Sequence, residues 1–149
     1  MNWDYIAGFV DGEGSITKKG NRIRILVSQT NKKVLNEIAK FSRTGFVYKL
    51  TKRESHWKDA WVYAVIGNKN VYKFLKSTGE KLIVKKKKAK SALRILEEFF
   101  RKEKTRIGLK NYRIKTGKKL RIRGLTYREI GKKLNTDFGY MRRLIKNIE

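Results

Sequence analysis

Apolar and polar residues alternate along this chain in two periods, near 3.6 and near 2, which mark helix and strand. Asn2 is placed to cap a short apolar helix from Trp3 to about Asp11, with Asp4 in its positive first turn. Gly12-Glu13-Gly14 ends it, and Ser15 to Lys19 reads as a strand. Gly20-Asn21 forms a tight turn into a second strand, Arg22 to Gln29. That strand alternates cleanly, with Ile23, Ile25 and Val27 on one face and Arg22, Arg24 and Leu26 on the other. Asn31 caps a helix over KKVLNEIAKFSR, apolar at Val34, Leu35, Ile38 and Phe41. Two further strand-like stretches, GFVYKLTKR and AWVYAVIG, are joined by the polar ESHWKD. Asn68 or Asn70 opens a helix carrying Val71, Phe74 and Leu75 that closes near Gly79. A long helix follows from about Lys85 to Lys104, apolar at Leu93, Leu96 and Phe100. The order up to Lys104 is αββαββαα.

Residues 105–124 are basic and punctuated by glycine, and read as a linker. Residues 125–149 differ. Thr126 and Glu129 form a T-x-x-E capping box, followed by Ile130 and Leu134 at helical spacing. After Asn135-Thr136-Asp137 a second helix carries Met141, Leu144, Ile145 and Ile148, together with Tyr140, Arg142, Arg143 and Lys146. Two short helices around a tight turn read as a helix-turn-helix, with Arg142 and Arg143 as candidate DNA contacts. The chain thus divides into a core (1–104), a linker (105–124) and a helical extension (125–149). No internal repeat is present.

The charge changes the picture. Among 149 residues, 39 are Lys or Arg and 13 Asp or Glu, a net charge of +26. Self-repulsion of that size is tolerable when the partner is a polyanion, nucleic acid first and an anionic membrane surface second. No apolar run reaches the roughly 18 residues of a membrane span, and no secretory signal is expected from the N-terminus. With no Cys, disulfides and thiolate zinc sites are excluded. The single histidine, His56, sits in a polar hairpin loop and is assigned no chemistry.

Against this background the acids near the start stand out. Gly8 and Gly12, four apart, share one face of the first helix, flanked by Ala7. A helical glycine costs about 1 kcal/mol against alanine, so close approach of a second backbone accounts for two of them. Asp11 and Glu13 sit at the helix C-terminus, where the dipole is negative and draws a cation. A hard divalent ion takes carboxylate and carbonyl oxygens, which Glu13 and the Gly12 carbonyl supply. On spacing alone the stretch reads either as this site or as a plain helix stop.

The nine residues IAGFVDGEG closely resemble the signature of the LAGLIDADG homing endonucleases, and the element order matches that family over about residues 3–104. The resemblance implies an α+β fold with an αββαββα core and an antiparallel saddle-shaped sheet. It implies that the motif helix packs on its twin through Ala7, Gly8, Asp11 and Gly12, with Asp11 mainly structural. Glu13 would bind the catalytic Mg²⁺ or Mn²⁺, helped by the Gly12 carbonyl. Gln29, after the second strand, would order solvent near the metal, and Lys33 follows four places on. Lys85, before the long helix, would lie near the scissile phosphate, with Lys87 next best.

The same resemblance implies double-stranded DNA along the sheet. Thr17, Lys19, Arg22 and Arg24 are the first candidates for contact, then Tyr48, Leu50, Lys52, Trp61 and Tyr63. One motif per chain implies a homodimer on a pseudo-palindromic site. Metal-assisted hydrolysis of both strands would leave short 3′ overhangs. The family also implies an intron-encoded, intracellular protein, in the cytoplasm of a prokaryote (an archaeon first) or in an organelle. A non-catalytic maturase on intron RNA, or a DNA-binding regulator on the same scaffold, is the alternative.

Overall fold

The computed structural model describes residues 1–20, 22–52, 54 and 56–146. Asn21 of the expected turn, Arg53 and Ser55 of the second hairpin, and Ile148 of the last helix lie outside the described residues. The elements are α1 (Trp3–Glu13), β1 (Gly14–Lys19), β2 (Arg22–Gln29), α2 (Lys32–Ser42), β3 (Phe46–Lys49), β4 (Trp61–Val65), α3 (Asn68–Thr78), α4 (Lys86–Ile122), α5 (Tyr127–Lys133) and α6 (Phe138–Lys146). The chain forms two compact units, Met1–Glu98 and Phe99–Glu149.

In the first unit the strands make one antiparallel sheet in the order β1-β2-β4-β3. Alternation in β2 buries Ile23, Ile25 and Val27 and leaves Arg22 and Arg24 exposed, as the sequence pattern predicts. Helices α1, α2 and α3 cover the buried side with Ile6, Val10, Leu35, Ile38, Val71, Phe74 and Leu75. Trp3 meets Phe41 and Phe74 edge-on, with ring centroids at 5.3 and 5.8 Å. The expected caps are in place. The Asn2 side chain accepts the Tyr5 N–H at 2.8 Å, and that of Asn31 accepts the Lys33 N–H at 3.0 Å. Helix α1 runs two residues beyond the expected end, straight into β1. Gly14 makes that junction, since a Cβ there would lie 2.6 Å from the Val10 carbonyl oxygen.

The linker expected over 105–124 is helical up to residue 122 and continues α4 to a length of 37 residues. Two glycines, Gly108 and Gly117, are the only interruptions, and the chain has no proline. At about 1 kcal/mol each they are outweighed by the Lys, Arg, Leu and Ile around them. Gly117 is there for packing. A Cβ on it would stand 2.7 Å from both Met141 Cε and Ile145 Cδ1. In the second unit Ile130, Met141 and Ile145 form a small core with Leu120, Leu125, Tyr127, Leu134 and Leu144 around it. The capping box is formed. Glu129 accepts the Thr126 N–H at 2.7 Å, and the Thr126 hydroxyl oxygen accepts the Glu129 N–H at 3.3 Å.

Candidate active site and sheet face

The C-terminal end of α1 is tied to a distant segment of the first unit by a cluster of hydrogen bonds. The Asp11 carboxylate accepts the backbone N–H groups of Ile83, Val84 and Lys85 at 2.5, 2.9 and 2.8 Å. Those donors lead directly into α4, so Asp11 serves as its cap from a distant part of the chain. The Lys85 ammonium donates back to the Asp11 carbonyl. Burial would raise the Asp11 pKa, but the three N–H donors and the Lys85 charge outweigh it and hold the carboxyl below its ordinary value. Two turns earlier Lys81 pairs with Asp4 at 2.6 Å. The segment before α4 is therefore fastened to α1 at both ends.

Glu13, the next acid, is different. It is exposed, and among the described residues its carboxylate makes no hydrogen bond or ion pair. Its oxygens and the carbonyls of the last helical turn form a small hard-oxygen set at the negative end of the dipole. No group of three His, Cys, Asp or Glu side chains able to hold a metal occurs among the described residues. One chain thus offers a partial donor set, of the kind Mg²⁺ uses when waters and phosphates complete its shell.

Gly8 and Gly12 lie exposed on α1 with nothing within 4 Å of a Cβ built on either. Ala7 does not share that face. It is 1% exposed and belongs to the chain's own core, while Gly8 is exposed. Asp11 likewise turns inward, to α4. The outward stripe is Tyr5, Gly8, Phe9 and Gly12, at helical spacing, with the Tyr5 and Phe9 rings stacked at 6.0 Å. Tyr5 and Phe9 escape a reading that follows the glycines alone. The i, i+3, i+4, i+7 wheel finds them.

The register sorts the sheet candidates. Thr17 pairs with Arg24 and Lys19 with Arg22, so all four side chains share the face away from the helices. Ser15 pairs with Leu26 on the same face. Tyr48 and Phe46 stand opposite Val62 and Ala64, which in turn face Ser28 and Leu26. Tyr48 is therefore on the expected side, and Phe46 is a neighbour that sequence reasoning missed. Trp61 and Tyr63 are on the other side. Tyr63 pairs with Val27 and Trp61 with Gln29, so both follow the buried parity of β2. Tyr63 is fully buried, and its hydroxyl donates to the Thr44 carbonyl at 2.8 Å with the Ser42 hydroxyl also at 2.8 Å. WVYAV has no polar residue to reveal its parity, so only the register decides it. Lys52 lies past the end of β3, in an ion pair with Asp59 at 2.9 Å.

The remaining candidates are placed as follows. Gln29 ends β2, two residues beyond the Gly14–Val27 pair. It is half-buried, with its amide oxygen accepting the Thr30 N–H at 2.8 Å. Lys33 and Lys87 are exposed in the first turns of α2 and α4. Arg142 and Arg143 are exposed on α6 in the second unit. Asp11, Gly12, Glu13 and Lys85 are thus brought together at one end of α1.

Comparison with known proteins agrees with this architecture. Residues 3–79 match the profile of the LAGLIDADG-like domain. The homing endonuclease I-CvuI, solved with the I-CreI target and Mg with its DNA not cleaved, is 25% identical over 64% of this chain and 65% of its own, with a TM-score of 0.51. This chain thus spans just under two thirds of that protein. The homing endonuclease I-TnaI is 21% identical over 100% of this chain and 99% of its own, with a TM-score of 0.55. The archaeal intron-encoded homing endonuclease I-Vdi141I, solved with DNA, is 20% identical over 97% and 94%, with a TM-score of 0.52. No curated protein matches the sequence.

Proposed function

The chain belongs to the LAGLIDADG homing endonuclease family, and from that membership we propose that it is a homodimeric, metal-dependent DNA endonuclease. Its substrate is a long pseudo-palindromic double-stranded site, both strands of which it hydrolyses to leave short 3′ overhangs. The observation that carries this reading is Glu13. A protein of net charge +26 keeps one exposed, unpaired carboxylate at the negative end of a glycine-faced helix. Glu13 and the Gly12 carbonyl would hold Mg²⁺ or Mn²⁺. The chemistry such an ion supplies is activation of water and stabilisation of the leaving oxygen.

The chain's own groups supply position and charge. Asp11 fixes Lys85 beside the α1 terminus, where its ammonium offsets phosphate charge near Glu13. Gln29, at the end of β2, and Lys33, in the first turn of α2, would order solvent and phosphate at that site. Arg22 and Arg24, with Thr17 and Lys19, face the major groove, where arginine bonds guanine bidentately at about 1–3 kcal/mol of discrimination. A second copy meets the first across Tyr5, Gly8, Phe9 and Gly12, so that two Glu13 sites serve two strands.

The test is cleavage of a plasmid library that includes the gene's own intronless insertion site, with Mg²⁺ or EDTA. Wild type is expected to make metal-dependent double-strand cuts at one site. Glu13→Gln is expected to keep binding and to lose the metal-dependent cutting. Tight binding with no cut at the insertion site would overturn the endonuclease reading and leave a DNA- or RNA-binding role.

A further inference from the structure

The second unit carries a stripe that the catalytic reading does not use. Gly139, Arg142, Arg143 and Lys146 line one open groove on α6. Their spacing of i, i+3, i+4, i+7 puts them on a single helix face. The opposite face, Met141 and Ile145, is buried against Ile130 and the Gly117 notch of α4. Helix α6 is therefore held by its apolar side and turns Arg142, Arg143 and Lys146 outward.

The turn before α6 is tightly specified. Asn135 takes a left-handed conformation, φ 46°, and the Thr136 N–H returns to the Gly131 carbonyl at 2.9 Å. A Cβ on Gly131 would meet the Thr136 carbonyl oxygen at 2.8 Å, so only glycine lets the turn lie this close to α5. The Asp137 side chain accepts the Tyr140 N–H at 2.9 Å and starts the helix. The Arg128 guanidinium stands 5.5 Å from the Phe138 ring centroid. Arg128 and Lys132, four apart on α5, rim the cleft beside the turn. Both acids of residues 125–146, Glu129 and Asp137, are engaged as caps, and neither lines the groove of Gly139, Arg142, Arg143 and Lys146.

We propose that α5 and α6 form a second DNA-binding site, in which α6 enters the major groove of duplex DNA with Arg142, Arg143 and Lys146 toward bases and phosphates. An α-helix with its side chains is about 10–12 Å across, which matches a B-form major groove about 12 Å wide. Gly139, bare at the first turn, lets the helix start come close to the groove. Arg128 and Lys132 hold a flanking phosphate strand, as the first helix of a helix-turn-helix does. The site stands on the second unit alone and does not depend on the saddle reading.

The test uses the full chain and fluorescence anisotropy with a labelled DNA duplex of about three helical turns, titrated over a range of KCl. An RNA duplex of the same sequence is the comparison, because its major groove is too deep and narrow for a helix. The triple variant Arg142→Ala, Arg143→Ala, Lys146→Ala is set against a charge-matched control, Arg101→Ala, Arg106→Ala, Lys110→Ala, at exposed positions of α4. The α6 variant is expected to lose tenfold or more in DNA affinity and to flatten the log–log salt slope by about 2–3. The control changes that slope by less than about 1, and RNA binding falls no further in the α6 variant than in the control. Equal losses in the two triple variants, or equal losses on DNA and RNA, would overturn the proposal. An Arg22→Ala, Arg24→Ala variant in the same assay reports on the saddle separately.

Discussion

Asp11 and Lys85 hold each other twice, 74 positions apart in the chain. The carboxylate of Asp11 accepts the Lys85 backbone N–H at 2.8 Å, and the Lys85 ammonium returns to the Asp11 carbonyl. One acid thus caps α4 and brings a lysine to the end of the motif helix.

Replacing Asp11 by Ala removes the acceptor for three backbone N–H groups. Loss of a helix cap typically costs about 0.5–2 kcal/mol, and the upper end is expected here because the Ile83 and Val84 donors go with it. Chemical denaturation read by circular dichroism measures it. Asp11→Asn, which keeps an acceptor but drops the charge, falls between the two.

The acid side of the stability profile follows from the lowered carboxyls. Asp11 is held down despite burial by its N–H donors, Asp4 by its bond to Lys81, and Asp59 by its bonds to Lys49 and Lys52. A depressed folded-state pKa contributes stability that is present above the ordinary value of 3.8 and lost as pH falls through the folded value. Melting temperature is therefore expected to hold near neutral pH and to fall steeply below about pH 4. In Asp11→Ala the acid fall is shallower.

Tyr63 acts at the other end of the scale. Burial raises its phenol above the ordinary 10.0, against the lowering effect of its bonds to Ser42 and Thr44. A raised folded pKa contributes stability that is complete below pH 10 and lost as pH climbs toward the folded value. Tyr63→Phe costs about 0.5–1.5 kcal/mol at neutral pH, the net worth of a lost hydrogen bond, since Ser42 and Thr44 still bond each other. It also removes part of the alkaline loss, which a pH series of thermal melts detects.

Gly8→Leu separates the two uses of α1. Within one chain the new side chain enters open space, and helix propensity improves by about 0.5–1 kcal/mol. Against a second copy it intrudes. Sedimentation is expected to show a lower-mass species that melts no earlier than a dilute wild-type monomer. Unchanged mass would mean that the glycine stripe is not the contact between copies.

The patterned parts of the chain were legible from the sequence. Arg22 and Arg24 alternate with Ile23 and Ile25, so the parity of β2 could be read directly. Helix α5 shows its cap in Thr126 and Glu129. Trp61 and Tyr63 misled because β4 is apolar on both sides, and the pairing of Tyr63 with Val27 is not a local property. Gly108 and Gly117 read as linker because a glycine in sequence does not say whether it bends a loop or admits Met141. At the site, the motif places Asp11, Gly12 and Glu13 together, but the inward turn of Ala7 and the bond from Lys85 to Asp11 depend on the packed fold.

The Asp11 cap also bears on the order of folding. Most helix caps come from the adjacent residue and assist nucleation of the helix they start. This one spans 72 to 74 positions, and loop-closure entropy opposes it until the sheet, α2 and α3 have brought the ends together. The start of α4 is thus expected to be secured late, so Asp11→Ala should raise the unfolding rate more than it lowers the folding rate in stopped-flow measurements. Lys85 reaches the end of α1 only in a chain that has already closed, so its bond to the Asp11 carbonyl marks a completed first unit.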